Sequence, residues 1–494
     1  MIFAAIVGVL LVAIYLYGTR TFSYWTDRGI KHDKPVFLFG NNTSGFLLRK
    51  SISQIAEEAY WKYPKEKVVG FFRALKPELV IRDPELIKRV LVTDFYEFYG
   101  RGLNPHKTVV EPLLRNLFFA DGDLWRLLRQ RMTPAFTTGK LKAMFPLIEE
   151  RATRMQVRVL QVASDGGPID ARELMARYTT DFIGACGFGL DSDSLNDDDS
   201  EIRKLGKKMF EVSVKDIVSA ILKELYPELF KNLKVMTRIQ VDIENLVHQI
   251  LVQRDYKPSG RNDFIDLMLE CQKKELASQE LTEELIAAQV FVFFAAGFET
   301  SSSATSFTLH QLAFHPEVQR KVQEEIDTVL SKHGNKLSYD AVREMTYLSW
   351  CFKEGLRMFP SLGVLIRQTV RPYTFPELDL SVDEDVKVLI PVQALHTDPQ
   401  YFDNPEEFRP ERFDPNENDL DQIKYVYLPF GVGPRCYVPG ERLGEMQSLA
   451  GLAALLSKFT VDPASTTLRH PIVDPKTGLV QTIKGGIPLN FRKR

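Results

Sequence analysis

The sequence predicts a mainly α-helical protein with small β-sheets at one side, preceded by an N-terminal transmembrane anchor helix. Three observations carry that prediction. Ile2 to Tyr17, IFAAIVGVLLVAIYLY, contains no charged side chain. From Gly122 to about Leu330 the apolar residues recur at the three-to-four-residue period of helices. Beyond that point Gly and Pro become frequent, and short β-rich runs such as GVLIRQTV and DVKVLIPV alternate with turns.

Taken in order, the apolar run falls just short of the roughly 17–25 residues of a spanning helix, so Gly18 and Thr19 complete it. A cleaved signal peptide would want a basic leader and a small-x-small cleavage site. The only charge ahead of this run is the terminal amine, and YLYGTR is a poor cleavage site, so an uncleaved anchor is expected. Arg20, Arg28, Lys31 and Lys34 follow it, which places the rest of the chain on the cytosolic side by the positive-inside rule. The chain then divides into an anchor, 1–20, a linker, 21–40, with Pro35 as its brake, and a single body, 41–494. Within the body a helix is expected over Ser53–Tyr63, two strands in KVVGFFRAL and ELVIRD, and a helical turn over Pro84–Val92. Further helices are expected over Trp125–Met132, Lys140–Val162, Ile169–Cys186, Ile202–Val214, Val235–Val252, Thr282 to about Leu312, and Glu441–Leu456.

The chain has 494 residues, 44% hydrophobic and 26% charged, enough to bury a large core. Lys+Arg 63 against Asp+Glu 65 gives a net charge of -2, which offers nothing to nucleic acid. The four cysteines, Cys186, Cys271, Cys351 and Cys436, are scattered without a CxxC, as in a reducing compartment without structural disulfides.

Four stretches carry candidate chemistry. In AQVFVFFAAGFETSSSATSFTL, Ala296, Glu299, Thr300 and Ser303 stand at i, i+3, i+4 and i+7 and share one helix face. Gly297 costs about 1 kcal/mol against Ala in a helix interior, and a Gly beside a Thr is expected to let the helix open there. Taken alone, a helix that reaches the surface explains the polar residues equally well. In EGLR, Glu354 and Arg357 pair at i, i+3, and Arg412 of FRPERF can complete a buried triad whose role is structural. In DGDLWRLLRQRMTPAF, Trp125 and Arg129 at i, i+4 make an indole and guanidinium clamp for a carboxylate, against the plainer reading of a core Trp with a surface Arg.

The fourth stretch is PFGVGPRCYVPGER. Cys436 sits in a Gly-rich turn before a helix, an electropositive setting for a thiol. It can be a nucleophile, a metal ligand or an inert buried thiol. No activating base stands nearby among the eight His, and zinc would want more Cys and His partners. A lone sulfur ligand among arginines suits a metal carried by an anionic cofactor, and haem fits. GVG at 431–433 does not complete a nucleotide-binding GxGxxG.

WRLLR, AGFET, EGLR, PERF and FGVGPRC occur together and in this order. From about Tyr24 to Phe491 the chain resembles the cytochrome P-450 superfamily of haem-thiolate monooxygenases, in the manner of insect microsomal members of the xenobiotic-metabolising type. The resemblance implies the cytochrome P-450 fold and haem b. It implies that Cys436 is the axial ligand, the thiolate role for which this family is known. By the same resemblance Trp125, Arg129, Arg367 and Arg435 hold the haem propionates, and Ala296 and Gly297 lie against the oxygen site. Glu299 and Thr300 relay protons, and Glu354, Arg357 and Arg412 brace the fold. The loop from about Arg101 to Phe119, the helices near 205–245 and the turn at 361–368 shape the pocket for a lipophilic substrate. Electrons come from NADPH through a separate flavoprotein reductase, since no flavin or nicotinamide motif is present, with Arg126, Arg131, Lys140 and Lys142 as docking residues. The location implied is the endoplasmic reticulum membrane.

One detail departs from the family pattern F-x-x-G-x-R-x-C-x-G. Phe430, Gly433 and Arg435 fit it, but Tyr437 stands where the cysteine is expected and Pro439 where the glycine is expected. The loop is one residue longer and its cysteine comes early. Either the loop bulges so that Cys436 still ligates, or Tyr437 ligates as tyrosinate, or haem is held poorly. Pro439 also removes a backbone N–H from the loop. The intact Glu299–Thr300 pair favours an enzyme. The altered loop favours a rival, a haem- or ligand-binding protein of the same fold with impaired turnover.

Overall fold

A computed structural model describes residues 2–164, 166–210, 213–261, 263–273, 281–436 and 438–494. The N-terminal helix, Ile2–Thr19, is exposed along its length and buries only Gly18. It and the helix Glu283–Phe314 are the two described helices long and apolar enough to cross a membrane, but the latter is 67% buried over its most apolar window and is a core element. The expected linker is not a free tether. Trp25 is wholly buried and donates its indole N–H to the Phe71 carbonyl (3.0 Å). It lies so close over Gly70 that a Cβ there would stand 2.5 Å from its ring.

Among the described residues, nine strands form three small sheets. The largest has the order β1 (Val68–Arg73), β2 (Lys76–Ile81), β7 (Lys387–Ile390), β4 (Leu365–Gln368). β1 and β2 make the expected antiparallel hairpin, β7 joins β2 in parallel, and β4 closes the sheet antiparallel with Arg367 opposite Val388. β3 (Ile169–Asp170), β9 (Pro488–Lys493) and β8 (Phe459–Pro463) form the second sheet; β5 (Tyr373–Phe375) and β6 (Leu380–Val382) form a lone pair. A second core, with Trp25, Phe72, Val388 and Phe402, lies along the large sheet, while the main core is helical.

The axis of the helical body is the 32-residue helix Glu283–Phe314. Thr282 caps it by accepting from the Leu285 N–H (3.2 Å), and Glu283 and Glu284 sit in its first turn, where the helix dipole favours them. Helix Ala171–Ile183 packs along one side of it, and the helix Val438–Leu456 crosses it, with Gln447 donating to the Ser301 hydroxyl (2.7 Å). The expected local opening at Gly297 does not occur, because the helix runs unbroken through it. The glycine has a packing reason instead: a Cβ there would stand 2.3 Å from Ile183 Cδ1. The segment read as one helix from Ile202 to Val214 is two. One helix ends at Phe210, and another, Val214–Leu225, begins with a capping box between Ser213 and Asp216.

Candidate active site

The loop ahead of the Val438–Leu456 helix is shaped by two glycines in the left-handed region, Gly431 (φ +70°) and Gly433 (φ +80°). Gly433 is also forced by proximity, since a Cβ would stand 1.9 Å from the Leu91 carbonyl oxygen. The turn closes with the Cys436 N–H donating to the Gly433 carbonyl (3.1 Å) and leaves Cys436 8% exposed, a free thiol. Tyr437, the other candidate ligand, lies outside the described residues.

Helix Gly122–Met132 holds this loop from below. Trp125 and Arg129, one turn apart, both face it. Arg435 lies over the Trp125 ring, 4.9 Å from its centroid, and Arg129 Nη1 donates to the Cys436 carbonyl (3.1 Å). Arg435 reaches Asp121 (2.7 Å) and the carbonyls of Tyr99, Phe118 and Ala120. Arg101 donates to the Phe118 carbonyl (2.6 Å) and to that of Arg435 itself (3.2 Å). Arg367, on β4, bonds its own neighbour's carbonyl at Ile366 (2.8 Å).

Arg101 and Arg435 are buried beside Asp121, which also accepts the Arg101 backbone N–H (2.9 Å), and Arg367 is buried close enough for its charge to act on Arg435. The electrostatic consequence falls on Arg435. Burial, then repulsion by Arg101, bring its pKa down to about 9, against the attraction of Asp121. Its Nε is buried without a hydrogen-bond partner among the described residues. A buried guanidinium with a donor left over, among other buried arginines, is the complement of an anionic group bearing carboxylates. The residues present thus fit haem: a free sulfur on a rigid turn, and guanidinium groups for the propionates. Sequence reasoning missed Arg101 as part of this cluster. Its partner Arg435 is 334 positions away, and no local pattern announces the contact.

In the long helix, Ala296 is exposed and Gly297 and Thr300 are partly exposed, although the flanking turns are buried. A small exposed residue in the middle of a core helix marks accessible space beside it. The Thr300 hydroxyl bonds back to the Ala296 carbonyl, and the Thr300 carbonyl accepts from Ser361 (3.1 Å). The expected common face is divided. Glu299 is buried and ion-paired with Arg172 of the neighbouring helix, and Ser303 is buried against the Gln481 carbonyl (3.4 Å).

Glu354, Arg357 and Arg412 come together in the interior. Glu354 takes Arg357 Nε at 2.8 Å and Arg412 Nε at 3.2 Å, and Arg357 also donates to the His396 and Pro405 carbonyls (2.8 and 2.7 Å). His396, another residue without a sequence signal, links this cluster to the cysteine loop. Its Nδ1 donates to the Arg357 carbonyl (3.1 Å), and its Nε2 accepts the Leu428 N–H (2.8 Å). Burial, then the Arg357 charge, bring its pKa down to about 3, which keeps this tautomer neutral.

The cytochrome P450 family model matches residues 32–489. Similar curated proteins include cytochrome P450 6B6 of Helicoverpa armigera, 39% identical over 514 residues, covering 100% of this chain and 98% of that protein. Cytochrome P450 6B1 of Papilio polyxenes is 36% identical over 513 residues, covering 99% of each. Probable cytochrome P450 6a13 of Drosophila melanogaster is 38% identical over 469 residues, covering 94% of this chain and 93% of that protein. Helical body, small sheets, a free cysteine on a glycine turn and a buried guanidinium cluster agree with these matches, and the chain belongs to the cytochrome P450 family of haem-binding monooxygenases.

Proposed function

We propose that the protein hydroxylates or epoxidises lipophilic small molecules, either xenobiotics such as insecticides and plant toxins or endogenous steroids and hormones. One oxygen atom of O2 enters the product and the other leaves as water, with two electrons from NADPH and two protons consumed. The electrons arrive through a separate flavoprotein reductase. Haem, when bound, supplies dioxygen binding and O–O cleavage. The observation that carries the reading is the accessible stretch of the long helix: Ala296, Gly297 and Thr300 offer one hydroxyl and no charge to the accessible space beside them. An apolar substrate is accepted there without desolvating an ion.

The residues have separable tasks. Cys436 would hold the haem iron through its sulfur, and Arg435, Arg367, Arg129, Arg101 and Trp125 would hold its propionates. Thr300 holds its hydroxyl proton on the Ala296 carbonyl, at the edge of the space, ready to exchange it. Glu299 acts behind that edge, with Arg172 holding its carboxylate in place. Ile2–Thr19 anchors the protein in the endoplasmic reticulum membrane with the body on the cytosolic side. Arg126, Arg131, Lys140 and Lys142 lie on the helices Gly122–Met132 and Thr138–Ser164 and supply cationic side chains for an acidic reductase face.

The test is turnover of a lipophilic probe, 7-ethoxycoumarin, by the full-length holoprotein with NADPH and a microsomal reductase under 18O2. The expected result is dealkylated product in an amount matched by NADPH oxidation, with one labelled oxygen in water and the other in the acetaldehyde released. NADPH consumption that yields only reduced oxygen, with the probe bound but unchanged, would support the rival binding protein.

A further inference from the structure

Away from the cysteine site, the protein holds a groove of about 650 Å3 beside its N-terminal segment. Its floor is apolar: Ile55 of the helix Ile52–Lys62 and Val69 and Phe71 of β1 line it and are buried. Its rim is aromatic, with Trp61, 40% exposed, and Tyr63. Asp33 and Asn41 also line it, from the segment ahead of that helix, and this segment is fastened to β1. The Asn41 N–H donates to the Phe72 carbonyl (2.8 Å), and the Phe72 N–H donates to Asn41 Oδ1 (2.9 Å). Asn41 Nδ2 donates to the Asp33 carbonyl (3.1 Å). The groove is thus bounded by fixed backbone, and its volume is that of a small-molecule site.

Five charged side chains line the groove, and four of them cancel in pairs. Lys62 pairs with Asp33 at 2.5 Å, and Tyr63 donates its hydroxyl to the same carboxylate (2.7 Å). Lys50 pairs with Glu58. The charge left over is that of Glu57, half-buried and one helical turn before Trp61, its hydrogen-bond partner. Burial raises the Glu57 pKa, and the like charge of Glu58 adds to the rise against the Trp61 hydrogen bond. A carboxylate in need of a cation therefore stands beside an aromatic ring, on the same helix face, over an apolar floor.

Each part of that arrangement selects the same chemistry. The face of an indole attracts a cation, and an unbalanced carboxylate does so more strongly. An anion is repelled by Glu57, and a bare metal ion gains nothing from the apolar floor. We propose that this groove is a binding site for an organic cation: a quaternary or protonated amine held between Glu57 and Trp61, carrying an apolar group that lies on Ile55, Val69 and Phe71. The site shares no lining residue with the cysteine loop or the guanidinium cluster, and it binds independently of the oxidation proposed above.

The test uses full-length holoprotein and N-benzylpyridinium, a quaternary cation that cannot ligate iron and that quenches indole fluorescence on contact. Saturable quenching is expected in the wild type and is expected to vanish in Trp61→Phe, because Trp25, Trp125 and Trp350 do not line the groove. In Glu57→Gln the half-saturating concentration is expected to rise about fivefold or more, while Glu317→Gln, on the separate helix Pro316–Lys332, leaves it unchanged. Benzyltrimethylammonium is expected to displace the probe, and benzenesulfonate is not. The Soret band is expected to keep its position throughout, which separates this groove from the haem site. Quenching that never saturates, or that survives Trp61→Phe, overturns the proposal. So does equal half-saturation in the wild type and Glu57→Gln, or displacement by benzenesulfonate as effective as by the ammonium. Should Glu57→Gln lower the thermal midpoint, Glu57→Asp decides the matter: it keeps the charge and is expected to hold half-saturation within about twofold, and a rise as large as that in Glu57→Gln overturns the site.

Discussion

Gly433 carries the tightest constraint in the cysteine loop. Its φ of +80° is open to few L-residues, and the Leu91 carbonyl stands where a Cβ would go. Gly433→Ala is therefore expected to cost at least about 1–3 kcal/mol, from backbone strain before the clash is counted, and to lower the thermal midpoint and the haem content together. Gly440→Ala is the matched control. It lies in the following helix with nothing within 4 Å of its Cβ position, so up to about 1 kcal/mol of stabilisation is expected from helix propensity. An alanine at 433 with an unchanged midpoint and haem content would contradict the account of the turn. At this scale the sequence was legible where chemistry is local. The Gly-flanked Cys436 and the Trp125–Arg129 spacing both announced themselves. Arg101, Asp121 and His396 did not, because each earns its meaning from a partner that only the folded chain supplies. Arg435 meets Asp121 across 314 positions, and Leu428 meets His396 across 32.

Elements were read well when a period and an end signal coincided. The expected Ser53–Tyr63 helix is Ile52–Lys62, with Ser51 and Gln54 forming a capping box. The hairpin of β1 and β2 and the long helix fall where expected within a residue or two at most ends. The break at Ser213 was missed although its signal, Ser213 with Asp216 three residues on, was present. Gly297 was misread for a different reason. A glycine needed for close helix packing looks in sequence like a glycine meant for bending, and only the position of Ile183 separates the two. The junction of the Thr346–Met358 helix with the cysteine loop gives a pH prediction. His396 is held neutral in the fold at a pKa of about 3, against 6.5 for an ordinary histidine. Between those values the unfolded chain binds the extra proton, so stability rises with pH. The His396 contribution is present above 6.5 and is lost as pH falls towards 3. Its slope approaches about 1.4 kcal/mol per pH unit in that window. The thermal midpoint of the wild type should therefore fall more steeply between about pH 7 and 5 than that of His396→Gln, whose amide can replace both hydrogen bonds without titrating. Parallel profiles would mean that His396 charges freely in the fold.

For the whole molecule, the site is a convergence of segments that are remote in sequence. Loop 101–121, the helix Gly122–Met132, the middle of the long helix, β4 and the loop before the last helix each bring one or two side chains. Burial of Arg435 with its Nε unpartnered among the described residues makes little sense as a stabilising device, because an unsatisfied buried donor is costly. It makes sense if a carboxylate-bearing cofactor accepts from it. That argument was not accessible from composition, since the chain as a whole is nearly neutral. The fold class was accessible, because long helical periods followed by short strands survive any detail of packing. The departure at Tyr437 and Pro439 makes the identity of the iron ligand the central question.

The most direct measurement is the absorption spectrum of the reduced, carbon-monoxide-bound holoprotein, compared with Cys436→Ser and Tyr437→Phe. Sulfur ligation by Cys436 requires a red-shifted Soret band in the wild type and in Tyr437→Phe, and its loss in Cys436→Ser. A blue-shifted band in the wild type, or a red-shifted band that survives Cys436→Ser, would contradict it.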